Sequence, residues 1–253
     1  MNQQIQVRRY TLIKYAVQLY TLRENCGIDF YDTLENVKKM GFEGVEFAGF
    51  YGKTSKEIKN KLDELSLSAV SSHVSLKELK ENLEQVVSFH LELNCNTIVC
   101  PYIDWNKETV QDVIDVLSKV RETLKNHHIE LLFHNHGSEF EQYKDDYLLT
   151  HILNNTQVGL ELDVCWAKFA GLNPLEYIKE HKNEIDLIHL KDLDDSTTFT
   201  PVALGEGVID VLGIVEYSKA IGLSWLIIEN DYPKPDALSN LRKSMMYIKE
   251  NIK

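Results

Sequence analysis

The chain has 253 residues and carries 39 acidic against 27 basic side chains, for a formal net charge of −12. With no Lys/Arg cluster it lacks the basic stripe that nucleic-acid binding requires, and no apolar run reaches the roughly 18 residues of a membrane span or forms a secretory leader. Cys26, Cys95, Cys100 and Cys165 show neither paired nor zinc-finger spacing, and read as reduced core thiols of a cytoplasmic protein.

Along the chain, short apolar runs alternate with stretches whose apolar residues recur every three or four positions, the helical period. IKYAVQLY (13–20) is followed by FYDTLENVKKM, GVEFAG (44–49) by SKEIKNKLDEL, and LSAVSSHV (67–74) by LKELKENLEQVVSFHLEL. NTIVCPY (96–102) precedes VQDVIDVLSKVRETLKNH, and IELLFHN (129–135) precedes YLLTHILNN. VGLELDV (158–164), DLIHLKD (186–192) and WLIIEND (225–231) are each followed by a further amphipathic stretch, the last being LSNLRKSMMYIKEN. Eight strand–helix units with continuous apolar strands predict a parallel sheet covered by helices, and eight is the number that closes a barrel. The expectation is an α/β fold, a single (β/α)8 TIM barrel over residues 1–253, with no Pro/Gly/Ser-rich linker dividing it. An open doubly wound sheet is the alternative, but the first strand lacks the GxGxxG turn of its nucleotide-binding members.

In such barrels the reactive groups sit at the C-terminal ends of strands. Glu46, His73, Tyr102, Asp104, His134, His136, Glu139, Asp163, His189, Lys191, Glu229 and Asp231 all fall at or just past a predicted strand end. Residues two apart on a strand share a face, so His189 and Lys191 project together. Carboxylates with an imidazole form a mixed O/N donor set suited to a divalent metal (Mn, Co, Mg or Zn) with positions left open for substrate oxygens. His127 and His128 in a helix-to-strand turn read as solvated, and His90, His151 and His181, in or near helices, as packing or surface residues. Trp166, Phe47, Phe50, Tyr20 and Trp105 lie near rim positions where a ring can stack on a sugar. The loop LGEGVID (204–210) offers backbone N–H groups to a phosphate, but Glu206 repels an anion and no basic residue accompanies it, so a neutral sugar or polyol is the expected substrate.

The ordered elements AVQLYTLR, GFEGVEFAG, HNHGSEF, LDVCWA, HLKD, LGEGVID and IEND resemble those of the sugar phosphate isomerase/epimerase family. These xylose isomerase-like barrels include inosose dehydratases, ketose 3-epimerases and 3-dehydroshikimate dehydratases. The resemblance implies Asp163, His189 and Glu229 as metal ligands. Many members place a glutamate at the end of strand five, and Phe133 aligns with it here, so Glu139 is taken as the fourth ligand, with His136 as the alternative. The implied reaction is sugar isomerisation or epimerisation by proton abstraction α to a carbonyl, through a metal-stabilised enediolate. Glu229 would be the first base, Glu139 or His136 the partner returning a proton, and Lys191 a stabiliser of the developing oxyanion. Glu46, His73, His134, Trp166 and Lys191 would bind substrate. Without the strand-five glutamate, a dehydratase or hydratase of a keto-sugar or inosose that uses a histidine stays open. An endonuclease IV-like phosphodiesterase would need more histidines and a basic surface, and a carbohydrate-binding barrel without turnover would keep the pocket alone. A homo-oligomer is compatible with these features and not required by them.

Overall fold

Eight strands form a closed, all-parallel barrel in which each pairs with its neighbours in sequence. They are β1 (Lys14–Gln18), β2 (Gly44–Phe47), β3 (Ser68–His73), β4 (Thr97–Cys100), β5 (Glu130–His134), β6 (Gly159–Asp163), β7 (Ile185–Leu190) and β8 (Trp225–Ile228), and β1 pairs with β8 to close the ring. The computed structural model describes residues 12–195 and 197–252. The first eleven residues, part of the stretch read for a leader, lie outside the described residues.

The helices form where the periodicity predicts them and are bounded by local signals. Thr54 and Thr109 each open a helix with a reciprocal capping box, to Glu57 and Asp112. Gly41 ends Phe30–Met40 in the left-handed conformation at φ 98°. The stretch LKELKENLEQVVSFHLEL is two helices, Leu76–Glu81 and Leu83–Leu93, broken at Asn82. Two six-residue helices, Arg23–Ile28 and Val164–Phe169, and two small hairpins are additional to the predicted set. Such short elements complete too few turns to show a period.

Alternation along the strands divides the core. Outward residues such as Val17, Val45, Leu131, Phe133, Leu162, Leu190 and Ile228 pack beneath the helices. Inward residues Ala16, Val99, Leu132, Leu187 and Ile227, with Val70 and Trp225 against them, fill the lower barrel. Two register slips then reset which face is inward. The β2–β3 register steps from Val45↔Ala69 to Glu46↔Ser71, and the β6–β7 register from Leu160↔Ile185 to Glu161↔Leu187. A one-residue slip exchanges the faces of a strand. That is why Ser71 and His73 reach the interior although Val70 also packs there, and why Leu187 and His189 face inward while Ile185 joins the outer core.

Candidate active site

Above the apolar floor, the inward side chains of seven strands make a buried polar layer. Glu46 is fully buried: one oxygen accepts Gln18 Nε2 and lies 2.6 Å from His189 Nε2, and the other accepts Ser71 Oγ. Glu161 Oε2 faces three imidazole nitrogens, His73 Nε2 at 2.8 Å, His134 Nδ1 at 3.1 Å and His189 Nε2 at 3.1 Å. Toward the rim, His189 Nδ1 lies 2.9 Å from Glu229 Oε2, and the Lys191 ammonium bridges Asp163 Oδ2 and Glu229 Oε2, both at 2.9 Å. Lys191 also pairs with Asp231 Oδ2 at 2.6 Å and is only 1% exposed.

Asp163 owes its orientation to the helix that starts beside it. Its Oδ1 accepts the N–H groups of Cys165 and Trp166, which caps Val164–Phe169 and leaves Oδ2 facing the site. Its own N–H donates to Asn135 Oδ1 at 3.0 Å, tying β6 to β5.

Electrostatics follows from this packing. Burial works against charge on Glu229, yet Lys191 and His189 beside it hold its carboxyl well below the usual range. Lys191 is likewise opposed by burial, but Asp163, Glu229 and Asp231 raise it well above the ordinary lysine value. His73 would be lowered by burial, and Glu46 and Glu161 instead raise it to about 10. His134 goes the other way: burial, reinforced by His189 and His136, holds it well below 6.5 despite its contact with Glu161, so it remains neutral. Burial also lowers His136.

The layer opens to a cavity of about 560 Å³ lined by Tyr20, His73, Tyr102, His134, His136, Trp166, Glu229, Asp231 and Tyr232 among others, with no lysine or arginine among the described residues that line it. Trp166 stands half-buried, stacked on Phe199 at 3.7 Å and 5.3 Å from the His136 ring. Of the other aromatic candidates, Tyr20 reaches the cavity, whereas Phe47 is core, Phe50 packs on Phe89, and Trp105 donates to Glu139.

Set against the sequence expectations, Asp163, His189 and Glu229 converge: one donor atom from each lies within 4.8 Å of the others. Glu139 does not join them. Its Oε1 accepts Trp105 Nε1 and Ser138 Oγ and its Oε2 accepts the His136 N–H at 2.7 Å, so both oxygens fasten the β5 loop. His136 lines the cavity beside them. Phe133, aligned with the strand-five ligand position, is an outward core residue. The inward one is His134, whose Nε2 is 3.8 Å from Asp163 Oδ2. His73 lines the cavity, while Glu46 lies beneath His189 and is not part of the lining. Glu161 was missed by the sequence reading. Its signal was present, because in LELD it stands two positions before Asp163 and shares its face.

The glycine loop also has a definite occupant. The N–H groups of Gly205, Gly207 and Ile209 all donate to the Asp192 carboxylate, so a side chain of the protein fills the place offered to a phosphate. A Cβ on Gly207 would collide with that carboxylate, and Gly205 sits at φ 84°. All four cysteines are free and buried, and His127 and His128 are exposed.

Among known proteins, a family model for the xylose isomerase-like TIM barrel matches residues 34–251. The inosose dehydratase of Clostridium tetani (strain Massachusetts / E88) is 20% identical over 265 residues, which cover 87% of this chain and 89% of that one. The crystal structure of a sugar phosphate isomerase/epimerase from Parabacteroides distasonis superposes with a TM-score of 0.78 at 22% identity, covering 98% of each chain. The IOLI protein, solved with a bound zinc atom, superposes with a TM-score of 0.76 at 16% identity, covering 95% of this chain and 98% of that one. The two structures share the fold, and the family model spans most of the barrel: the chain belongs to the xylose isomerase-like TIM barrel family.

Proposed function

We propose that this protein is a divalent-metal-dependent enzyme that removes a proton α to a carbonyl in a neutral sugar or polyol, as a cytoplasmic isomerase or epimerase. The observation that carries the reading is the convergence of Asp163, His189 and Glu229, from three consecutive strands, with Glu229 lining the cavity. Charge supports it. Asp163, Glu229 and Asp231 outnumber the Lys191 ammonium and the His189 ring beside them in a buried place, and a divalent cation would help to balance them. The donor set of two carboxylates and one imidazole suits Mn²⁺, Co²⁺ or Zn²⁺, and the zinc of the structurally similar IOLI protein is consistent with it. Such an ion supplies Lewis acidity and orients two substrate oxygens.

The protein's own residues do the rest. Glu229 is held ionised at the cavity floor and accepts the proton from carbon. Lys191, a buried cation, favours negative charge developing beside it. His136, kept neutral by burial, takes a proton from a substrate hydroxyl at the cavity wall and then returns it, and Glu139 holds the backbone from which it projects. Trp166 and Tyr20 offer faces to the sugar. The lack of lysine and arginine among the described residues of the lining, together with the Asp192-filled glycine loop, favours an unphosphorylated substrate.

A dehydratase reading has its own support. The inward residue of β5 is an imidazole and both Glu139 oxygens are engaged, so β5 and its loop bring histidines rather than a carboxylate to the cavity. A histidine donating to a departing hydroxyl fits that asymmetry, and the C. tetani relative is an inosose dehydratase. The test is to incubate metal-supplied protein with unphosphorylated ketoses, inososes and keto-glycosides in D₂O and follow C–H signals by NMR. Loss of an α proton signal without loss of oxygen marks isomerase chemistry, and a new alkene or dicarbonyl marks the dehydratase. Exchange should vanish in Glu229→Gln. A fully active Glu229→Gln variant would overturn the assignment.

A further inference from the structure

One part of the polar layer is not used by this reading. Glu161 is completely buried, its Oε2 is ringed by the His73, His134 and His189 nitrogens, and its Oε1 has no hydrogen-bond partner among the described residues. A buried carboxylate oxygen left unpaired costs free energy unless something occupies the place it faces. The lower donor atoms also lie within 4.8 Å of one another.

We propose that His73, His134 and Glu161 form a second divalent-metal site, deeper in the barrel than Asp163, His189 and Glu229. Two imidazoles with one carboxylate is a three-ligand set of the kind that keeps a fourth position open. The donor separations of 2.8 Å and 3.1 Å are close to the ~3.3 Å between ligands around a tetrahedral zinc with bonds of about 2.05 Å. Its imidazole content selects Zn²⁺ or Co²⁺ over Mg²⁺, whereas the upper, oxygen-rich set is less selective.

His189 separates the two sets. A neutral imidazole offers one lone pair. In the tautomer whose Nε2–H donates to Glu46, 2.6 Å away, Nδ1 is left for the upper set, and the lower set stands on three ligands. Both His73 and His134 line the cavity, so the open position faces substrate. A water held there would be acidified and placed to act as base or nucleophile.

The test counts metal in the full chain after saturation with Zn²⁺ and gel filtration, with far-UV circular dichroism to confirm folding. Wild type should hold two equivalents. Folded His73→Gln and Glu161→Gln should each hold one, and Glu229→Gln should also hold one, with the Co²⁺ visible spectra of the two kinds of variant differing. One equivalent in wild type, lost in Glu161→Gln but kept in Glu229→Gln, would support the lower site and overturn the upper one. One equivalent in wild type, kept in His73→Gln or Glu161→Gln and lost in Glu229→Gln, would overturn the proposal and leave the proposed function standing. No bound zinc in wild type would overturn both.

Discussion

Replacing Lys191 by Met keeps the aliphatic stem that crosses the barrel interior and removes only the charge. The ammonium is 1% exposed and touches Asp163, Glu229 and Asp231 at 2.9, 2.9 and 2.6 Å, so its loss leaves three carboxylates facing one another with no cation among them. Breaking a buried pair by deleting one partner costs about 3–5 kcal/mol. In a domain of this size each kcal/mol moves Tm by about 2–4 °C, giving a fall of roughly 6–20 °C. The assay is thermal unfolding by circular dichroism in EDTA and again with Mn²⁺ or Zn²⁺. Because Lys191 sits on the oxygens of Asp163 and Glu229 that would ligate the metal, its removal also takes away a competing cation. The variant should therefore bind metal more tightly while being less stable without it, and excess metal at about 100 times Kd should restore about 2.7 kcal/mol. A Tm loss under about 2 °C in EDTA, or weaker metal binding in the variant, would refute the reasoning.

Asp192→Ala deprives the N–H groups of Leu193, Gly205, Gly207 and Ile209 of their acceptor. Urea denaturation should show a loss of about 2–4 kcal/mol, and limited proteolysis should find a new cut near Glu206. An unchanged midpoint would mean that water replaces the carboxylate without cost. Burial pushes the Cys26, Cys95 and Cys100 thiols up to about 12 and Cys165 higher still. At pH 8 none of the four should react with a thiol reagent until denaturant is added, and fast labelling of the folded protein would contradict that. Trp166→Ala should raise KM for the sugar by about tenfold, near 1.4 kcal/mol, with a smaller effect on kcat. An unchanged KM would assign the ring to packing against Phe199 alone.

The eight strands were legible because a parallel barrel buries both faces of each strand, so each reads as a continuous apolar run. The convergence of Asp163, His189 and Glu229 was legible because each ends such a run. Other features depend on pairing between distant segments. The slips at Glu46/Ser71 and Glu161/Leu187 set which residues of β3 and β7 face inward, and no local pattern announces them. On β5 the inward residue is His134, one position after the Phe133 that the sequence aligned with a ligand position. The engagement of Glu139 by Trp105, and of the glycine loop by Asp192, likewise joins residues 34 and 13–17 positions apart. Glu161 is a different case, an ionisable residue inside an apolar run, where period-two alternation alone placed it on the face of Asp163.

The most direct test of the central claim is a crystal of the wild-type protein grown with Mn²⁺ or Zn²⁺ and measured at the metal's absorption edge. The account predicts an anomalous peak touching Asp163, His189 and Glu229, with Lys191 displaced toward Asp231. A map with no peak against Glu229, and Lys191 still bridging Asp163 and Glu229, would contradict it.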